Sequence, residues 1–325
     1  QDAARHPDPV LMELEIGLEI PRFVRMSSFQ HWNRYAAVND EFIDVHMSTE
    51  AAKAAGQPDV FGMGNLRVAY VHNALHDWLG PHGDIAAFAC QFRALNFLGD
   101  ELVTHGRVTA VDPREDGTRM ATVEFGVVNQ AGEETMPGTA EVIVFGPRGP
   151  AMPNAPEPVG PPAREPGVYL DPETIAWLGR DTEPVVSLPV DANDIRRWAM
   201  AVYYPDPPPA DYFDLEAART GPWGAFVAPR DFNPFAWVRE FHPESYPWMR
   251  GMGTEPGSRG LNGGQRSLYF APIRPGDAIT CSATLVDAYE KDGRLGTMLF
   301  LIDESRWTNQ RGELVKIGLR TSIYH

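Results

Sequence analysis

The spacing of apolar and polar residues changes several times along the chain, and each change predicts an element. Val10 to Ile20 alternates, with Met12, Leu14, Ile16, Leu18 and Ile20 on one face and Glu13, Glu15 and Glu19 on the other, which predicts a half-buried strand. From Gly64 to Leu79 the period lengthens. Leu66, Ala69, Tyr70, Asn73, Ala74, Asp77 and Trp78 recur at helical spacing and Gly80 supplies a stop, so a long, mostly buried helix is expected. Strand-like runs follow at 85–97, 101–111, 119–129 and 139–145, divided by turn signals such as Leu98-Gly99-Asp100 and Glu115-Asp116-Gly117. Similar runs recur near 266–273, 278–290, 296–306 and 314–324. One long helix followed by four antiparallel strands predicts an α+β unit whose sheet wraps around the helix.

Particular residues recur as well. Glu50-Ala51-Ala52-Lys53 followed by Gly56 matches Glu216-Ala217-Ala218-Arg219 followed by Gly221. Gly99-Asp100 precedes Asn129-Gln130-Ala131-Gly132-Glu133 as Gly276-Asp277 precedes Asn309-Gln310-Arg311-Gly312-Glu313, at offsets of 30 and 33 residues. Three ordered matches at near-equal spacing imply an internal duplication. The Asn-Gln-x-Gly-Glu segments read as hairpin turns within the meander. Eight of the 30 prolines fall between Pro147 and Pro166, a composition that lacks donors and favours extended backbone. The expected organisation is therefore a first unit at 1–146, a proline-rich linker at 147–166 and a second unit at 167–325. This agrees with the two domains that 325 residues suggest.

Charge narrows the partners. With 44 acidic against 28 basic side chains the net charge is −16, which excludes the basic footprint of a nucleic-acid binder and disfavours an anionic membrane surface. No apolar run approaches the roughly 18 residues of a membrane span, and no apolar export segment stands near Gln1, so a cytoplasmic location is expected. Cys90 and Cys281 are too few for a metal cage or a disulfide framework and read as small buried hydrophobes.

The segment before the long helix carries the candidate chemistry. Between Tyr35 and His46 lie Asn39, Asp40, Glu41 and Asp44, which places three acids, an amide and a histidine within eight residues. A carboxylate beside a histidine can orient the ring and raise its basicity for proton transfer near neutral pH. A solvated acidic loop is the alternative.

This segment resembles the signature of the MaoC-like dehydratases and (R)-specific enoyl-CoA hydratases. In that signature an aromatic residue and a short apolar stretch lead to Gly-Asp, one variable residue, then Asn-Pro-apolar-His. Tyr35 falls on the aromatic, Glu41 on the catalytic Asp and His46 on the catalytic His. Phe61-Gly62-Met63-Gly64 falls on the glycine-containing start of the central helix, and Gly263-Gly264-Gln265 with Pro275-Gly276-Asp277 resembles the companion domain. The resemblance implies a double hot-dog fold with one long central helix in each unit. It also implies an acyl-CoA or acyl-carrier thioester as substrate and no metal or cofactor. In it, Glu41 and His46 form the acid/base pair and Gly64, or Met63 one place earlier, supplies a backbone N–H to the thioester carbonyl. The motif is altered: Glu41 is one methylene longer than Asp, Asp40 stands for the glycine, and Ile43-Asp44 replaces Asn-Pro, with Asn39 able to supply an amide from another direction.

Reversible hydration of a 2-enoyl thioester leads, and a hot-dog thioesterase or a non-catalytic acyl-thioester binder are the alternatives. Tyr35, Met63, Asn65, Arg93, Trp223 and Trp237 are the candidate substrate-binding residues. The second unit lacks the acid/base pair and is expected to shape the acyl pocket. Its aromatic density, from Trp223 through Phe226, Phe232, Phe235, Trp237, Phe241 and Tyr246 to Trp248, suits either core packing or a wide apolar tunnel. His72 and His76 stand one helical turn apart but lack companion metal ligands. Further dimerisation of the chain is expected from the way hot-dog units pair.

Overall fold

The computed structural model describes residues 12–240, 246–251, 253 and 255–325. Five strands of the first part, β1 (Glu19–Met26), β2 (Gly83–Cys90), β3 (Glu101–Pro113), β4 (Arg119–Val128) and β5 (Glu134–Val144), join five of the second. The latter are β6 (Val185–Val186), β7 (Gly260–Tyr269), β8 (Ile279–Gly293), β9 (Gly296–Asn309) and β10 (Leu314–Tyr324). All ten form one antiparallel sheet in the order β1-β3-β4-β5-β2-β7-β10-β9-β8-β6. The order is the same read from either end once β1 is matched to β6 and β2 to β7, so the duplication seen in the sequence is a two-fold repeat of one sheet.

The seam is the β2–β7 pairing, from Ala87 opposite Leu268 to Cys90 opposite Gln265. Gly264 sits at its end with φ +124°, and a Cβ there would lie 2.5 Å from the Cys90 carbonyl oxygen, so the close approach of the two strands requires glycine. Residues 150–167 have no regular structure, and 153–162 line a cavity beside Ala87, Leu268 and Leu319 at this seam.

The repeated landmarks are repeated hydrogen bonds. In the β4–β5 turn the Asn129 N–H donates to the Glu133 carbonyl at 3.0 Å, and its side chain holds Glu133 at 3.0 Å; Asn309 and Glu313 make the same two bonds at 3.0 and 2.7 Å in the β9–β10 turn. Gln130 and Gln310 each reach back to the preceding Gly-Asp turn, to Asp100 Oδ1 and the Gly276 carbonyl. Both segments are hairpin turns because their side chains satisfy the turn's own backbone.

Seven α-helices lie among the described residues: α1 (Phe29–Asn39), α2 (Asp44–Met47), α3 (Thr49–Ala54), α4 (Gly64–Leu79), α5 (Pro172–Ala176), α6 (Ala192–Val202) and α7 (Leu215–Thr220). α3 and α7 coincide with the paired Glu-Ala-Ala segments. α4 has the bounds the spacing predicts. It buries Leu66, Ala69, Val71, Ala74 and Leu75 almost completely, in a core that continues into the second unit through Trp198, Phe232, Phe235 and Trp307.

Two expectations are corrected. The strand expected over 10–20 begins only at Glu19; Val10 lies outside the described residues. Met12, Leu14, Leu18 and Ile20 do pack inward, but a turn at Ile16-Gly17 interrupts the ladder and leaves Ile16 70% exposed. The central helix expected in each unit is present in the first alone among the described residues. After α7, no described residue is helical before Gly260. Pro222, Pro229, Pro234 and Pro247 remove helix donors throughout that stretch. Aromatic side chains pack on the sheet and on α6 there instead: Phe235 lies edge-on to Trp307 of β9 at 5.2 Å and Phe232 to Trp198 of α6 at 5.5 Å. Core packing thus accounts for Phe226, Phe232, Phe235 and Trp248, all buried, while Phe241 lies outside the described residues.

Candidate active site

α1 ends in a left-handed turn. Asp40 has φ 54° and ψ 42°, and its N–H donates to the Ala36 carbonyl. Asp is among the few non-glycine residues that tolerate this region, so Asp40 can hold the motif's glycine position. The turn delivers Glu41. The Asn39 side-chain N–H donates to Glu41 Oε2 at 2.7 Å, and Asn65, the second residue of α4, donates to the same oxygen at 3.5 Å. Burial raises the Glu41 carboxyl to about 7, against the opposing effect of those two amides.

His46 is buried on the single turn of α2. Its Nδ1 lies 2.8 Å from the Phe61 carbonyl oxygen, and its ring meets the Phe61 ring edge-on at 4.8 Å. A carbonyl only accepts, so Nδ1 carries the proton and Nε2 is the free, basic nitrogen. Burial lowers the His46 pKa below its ordinary value, which keeps the ring neutral at pH 7. The Phe61 loop is itself fixed, since Phe61 bridges to Phe97 and the Gly62 N–H donates to the Asn96 carbonyl at 2.8 Å.

Two residues past that loop α4 begins. Its N-cap, Met63, offers no side-chain cap, so the first-turn N–H groups are not met by a capping side chain. Gly64 lies against Phe92, where a Cβ would come within 2.9 Å of the ring. Phe92 precedes the Arg93 and Ala94 N–H groups, which both donate to the Thr135 carbonyl. Arg67, from α4, donates to the Ala94 and Thr135 carbonyls at 2.7 and 3.3 Å. Arg67 is a buried brace here, with its guanidinium lowered to about 10 by burial.

The second unit reaches this site. Asn233 donates to Asn39 Oδ1 at 2.9 Å, and Trp237 Nε1 donates to the Ala37 carbonyl at 3.1 Å. Trp237, 63% exposed with φ 65°, lies 6.1 Å from the Phe42 ring.

Asn39, Glu41 and Asn65 are therefore joined by hydrogen bonds, and the short Phe61 loop ties His46 to the α4 start. No hydrogen bond joins Glu41 to His46. Asp40 and Asp44 are exposed, the first on the turn and the second on α2. Tyr35 is buried edge-on to Trp198 at 5.6 Å, and Met63 is buried in the core. Arg93 pairs with Glu134 at 3.1 Å on the surface. Trp223 lines a cavity with His76 and Gly80, at the opposite end of α4 and about 24 Å from Gly64 along its 16 residues. His72 donates to the Val68 carbonyl and meets the Tyr269 hydroxyl, while His76 meets Tyr212 and Asp211. Cys90 and Cys281 are buried, and burial pushes both thiols up to about 12. Asn233 and the Phe61 carbonyl are contacts of the candidate site that local spacing did not reveal.

Residues 176–317 match the family model of the FAS1-like dehydratase domain region. A MaoC domain protein from Chloroflexus aurantiacus superposes over 99% of each chain with a TM-score of 0.68 at 16% identity. The chain has the double hot-dog fold of the MaoC-like dehydratases. A Mycobacterium tuberculosis protein with a double hot-dog fold superposes over 96% of each chain at 13% identity and a TM-score of 0.61. A further MaoC-like dehydratase covers 95% of this chain and 97% of its own at 13% identity and a TM-score of 0.62. No curated protein matches by sequence. The family-model match lies in the C-terminal half of the chain, whereas Glu41 and His46 stand in the N-terminal half. No described helix is long and apolar enough to cross a membrane.

Proposed function

We propose that the protein catalyses reversible addition of water to a 2-enoyl thioester, carried by CoA or an acyl-carrier domain. One observation carries this reading. Beside the uncapped start of α4 stand a neutral histidine with Nε2 free and a carboxyl poised near pH 7. Hydration needs a proton acceptor at the water and a proton donor at Cα, and a pair holding a single proton supplies them.

In the forward direction the thioester carbonyl accepts from the N–H of Gly64. The helix start stabilises the enolate oxygen that develops there. Nε2 of His46 takes a proton from the water as its oxygen bonds to Cβ. The π pair moves toward the carbonyl, and the Glu41 carboxyl gives its proton to Cα. The imidazolium then returns its proton to the Glu41 carboxylate through solvent. Dehydration runs the same steps backward. No redox change occurs.

Hydrolysis of the thioester is the second reading, favoured by Glu41 itself. It is one methylene longer than the family's Asp, and a displacement of about 1 Å can change a rate a hundredfold. A single assay separates the outcomes. The protein is incubated with a saturated and a 2-enoyl acyl-CoA while free thiol and product mass are followed. Gain of one water with the thioester intact supports the proposal, thiol release supports hydrolysis, and binding without either product supports a binder.

A further inference from the structure

We propose that Asn233 of the second unit is a positioning residue that sets the protonation of Glu41 by locking the direction of the Asn39 amide. The proposal rests on the reading of Glu41 as the ionising group of the site.

A side-chain amide can face a carboxyl with either end. Its NH2 end stabilises the carboxylate, and its carbonyl end repels it and favours the protonated acid. Asn39 closes α1 with Asp40 left-handed behind it, and apart from Glu41 itself its own segment offers no hydrogen bond that orients the amide. The choice is made from 194 residues away. Asn233 Nδ2 donates to Asn39 Oδ1 at 2.9 Å, which occupies the acceptor and turns Nδ2 of Asn39 to Glu41 Oε2 at 2.7 Å.

Asn233 is directed in its turn, because its Oδ1 accepts the backbone N–H of Phe235 at 3.0 Å. A backbone N–H can only donate and an ionised carboxylate can only accept. The chain Phe235 N–H to Asn233 to Asn39 to Glu41 therefore has one allowed polarity along its length. Its origin is rigid. Phe235 is 1% exposed and packed on Trp307, and Trp237 fastens the same segment to the Ala37 carbonyl. The segment is part of the stretch where the second unit has no described helix. In this arrangement the unit without an acid/base pair contributes a working part of the site rather than a wall alone.

The test uses the full chain with carbon-13 in its glutamate carboxyls, Glu41 being assigned by its loss in Glu41→Gln. Asn233→Asp keeps shape but can only accept, so Asn39 must turn its Oδ1 toward Glu41. The Glu41 titration midpoint is expected to rise by about one pH unit. Asn233→Ala, which frees Asn39 without reversing it, is expected to give a smaller rise. With Asn39→Ala already present, the uncharged Asn233→Ala should add nothing. An unchanged midpoint in both single variants overturns the proposal, and so does a shift that persists without Asn39. Should Asn233→Asp fail to fold, Asn233→Ala and its combination with Asn39→Ala give the same decision. The midpoint is read without turnover, so absence of hydration activity would count against the proposed reaction and leave this proposal standing on its own result.

Discussion

His46 donates its Nδ1 proton to the carbonyl oxygen of Phe61 at 2.8 Å. That bond fixes the tautomer, leaves Nε2 basic and ties the histidine to the loop that opens α4. His46→Ala should lower turnover by about 10²- to 10⁴-fold, the range expected for losing a general acid or base. The thermal midpoint should move by a few degrees, as measured by circular dichroism. A wild-type rate in a folded His46→Ala protein contradicts the assignment.

Glu41 links activity to pH. Hydration needs Glu41 protonated and His46 neutral, so kcat/KM should peak between the lowered His46 pKa and the Glu41 value of about 7. The alkaline limb should vanish in Glu41→Gln. Hydrolysis with Glu41 as base would instead rise through pH 7.

Stability carries an independent signature of the same group. The folded-state pKa of Glu41 is raised from 4.5 to about 7, so its favourable contribution is complete below pH 4.5 and is lost as pH rises through 7. Glu41→Gln should therefore be more stable than wild type at pH 8, by about 1–2 kcal/mol after allowance for residual solvent contact, and no more stable at pH 4. Urea midpoints at the two pH values check this.

Gly64→Ala should be costly because the new methyl group would lie 2.9 Å from the Phe92 ring. Overpacking of this kind costs about 1–3 kcal/mol. Since it displaces the helix start it should also lower kcat. Adding Phe92→Leu should restore most of the stability in a denaturation assay.

Lys316 lies with its ammonium 4.5 Å from the Trp307 ring centroid, and burial lowers it from 10.5 to about 8. A lysine with a lowered folded pKa destabilises the protein wherever the unfolded chain holds more protons, so that cost is greatest below pH 8 and fades as pH rises toward 10.5. Lys316→Met should therefore raise stability at pH 7 by about 1–3 kcal/mol and by less at pH 10. Urea midpoints at those pH values decide it.

The parts of the fold legible in the sequence are those encoded locally. α4 follows to the residue from its apolar spacing and the Gly80 stop. The two Asn-Gln-x-Gly-Glu turns are built from their own side chains, so the motif contains its own geometry. Asn39 could be nominated as an amide near Glu41 because it stands two residues from it in the chain, and the two are hydrogen-bonded. Asn233 was not, since only the folded chain brings it to Asn39. Burial misled in two places. The alternation from Met12 to Ile20 has the right inward face but runs through a turn at Gly17. In the second unit the aromatic run kept a core's composition while its prolines removed the helix. Trp223 and Arg93 were nominated for residue type alone, and the fold puts the one at the far end of α4 and the other in a surface ion pair.

The central claim, that Glu41 and His46 act together in one addition of water, is tested most directly by the initial rate of water addition to a 2-enoyl thioester. The rate is followed as loss of the conjugated chromophore in wild type, Glu41→Gln, His46→Ala and the double variant. Each single variant should lose about 10²- to 10⁴-fold, and the double variant little more than the worse single one, because groups that act as a unit are not additive. A near-wild-type rate in either single variant, or losses that multiply in the double variant, would contradict it.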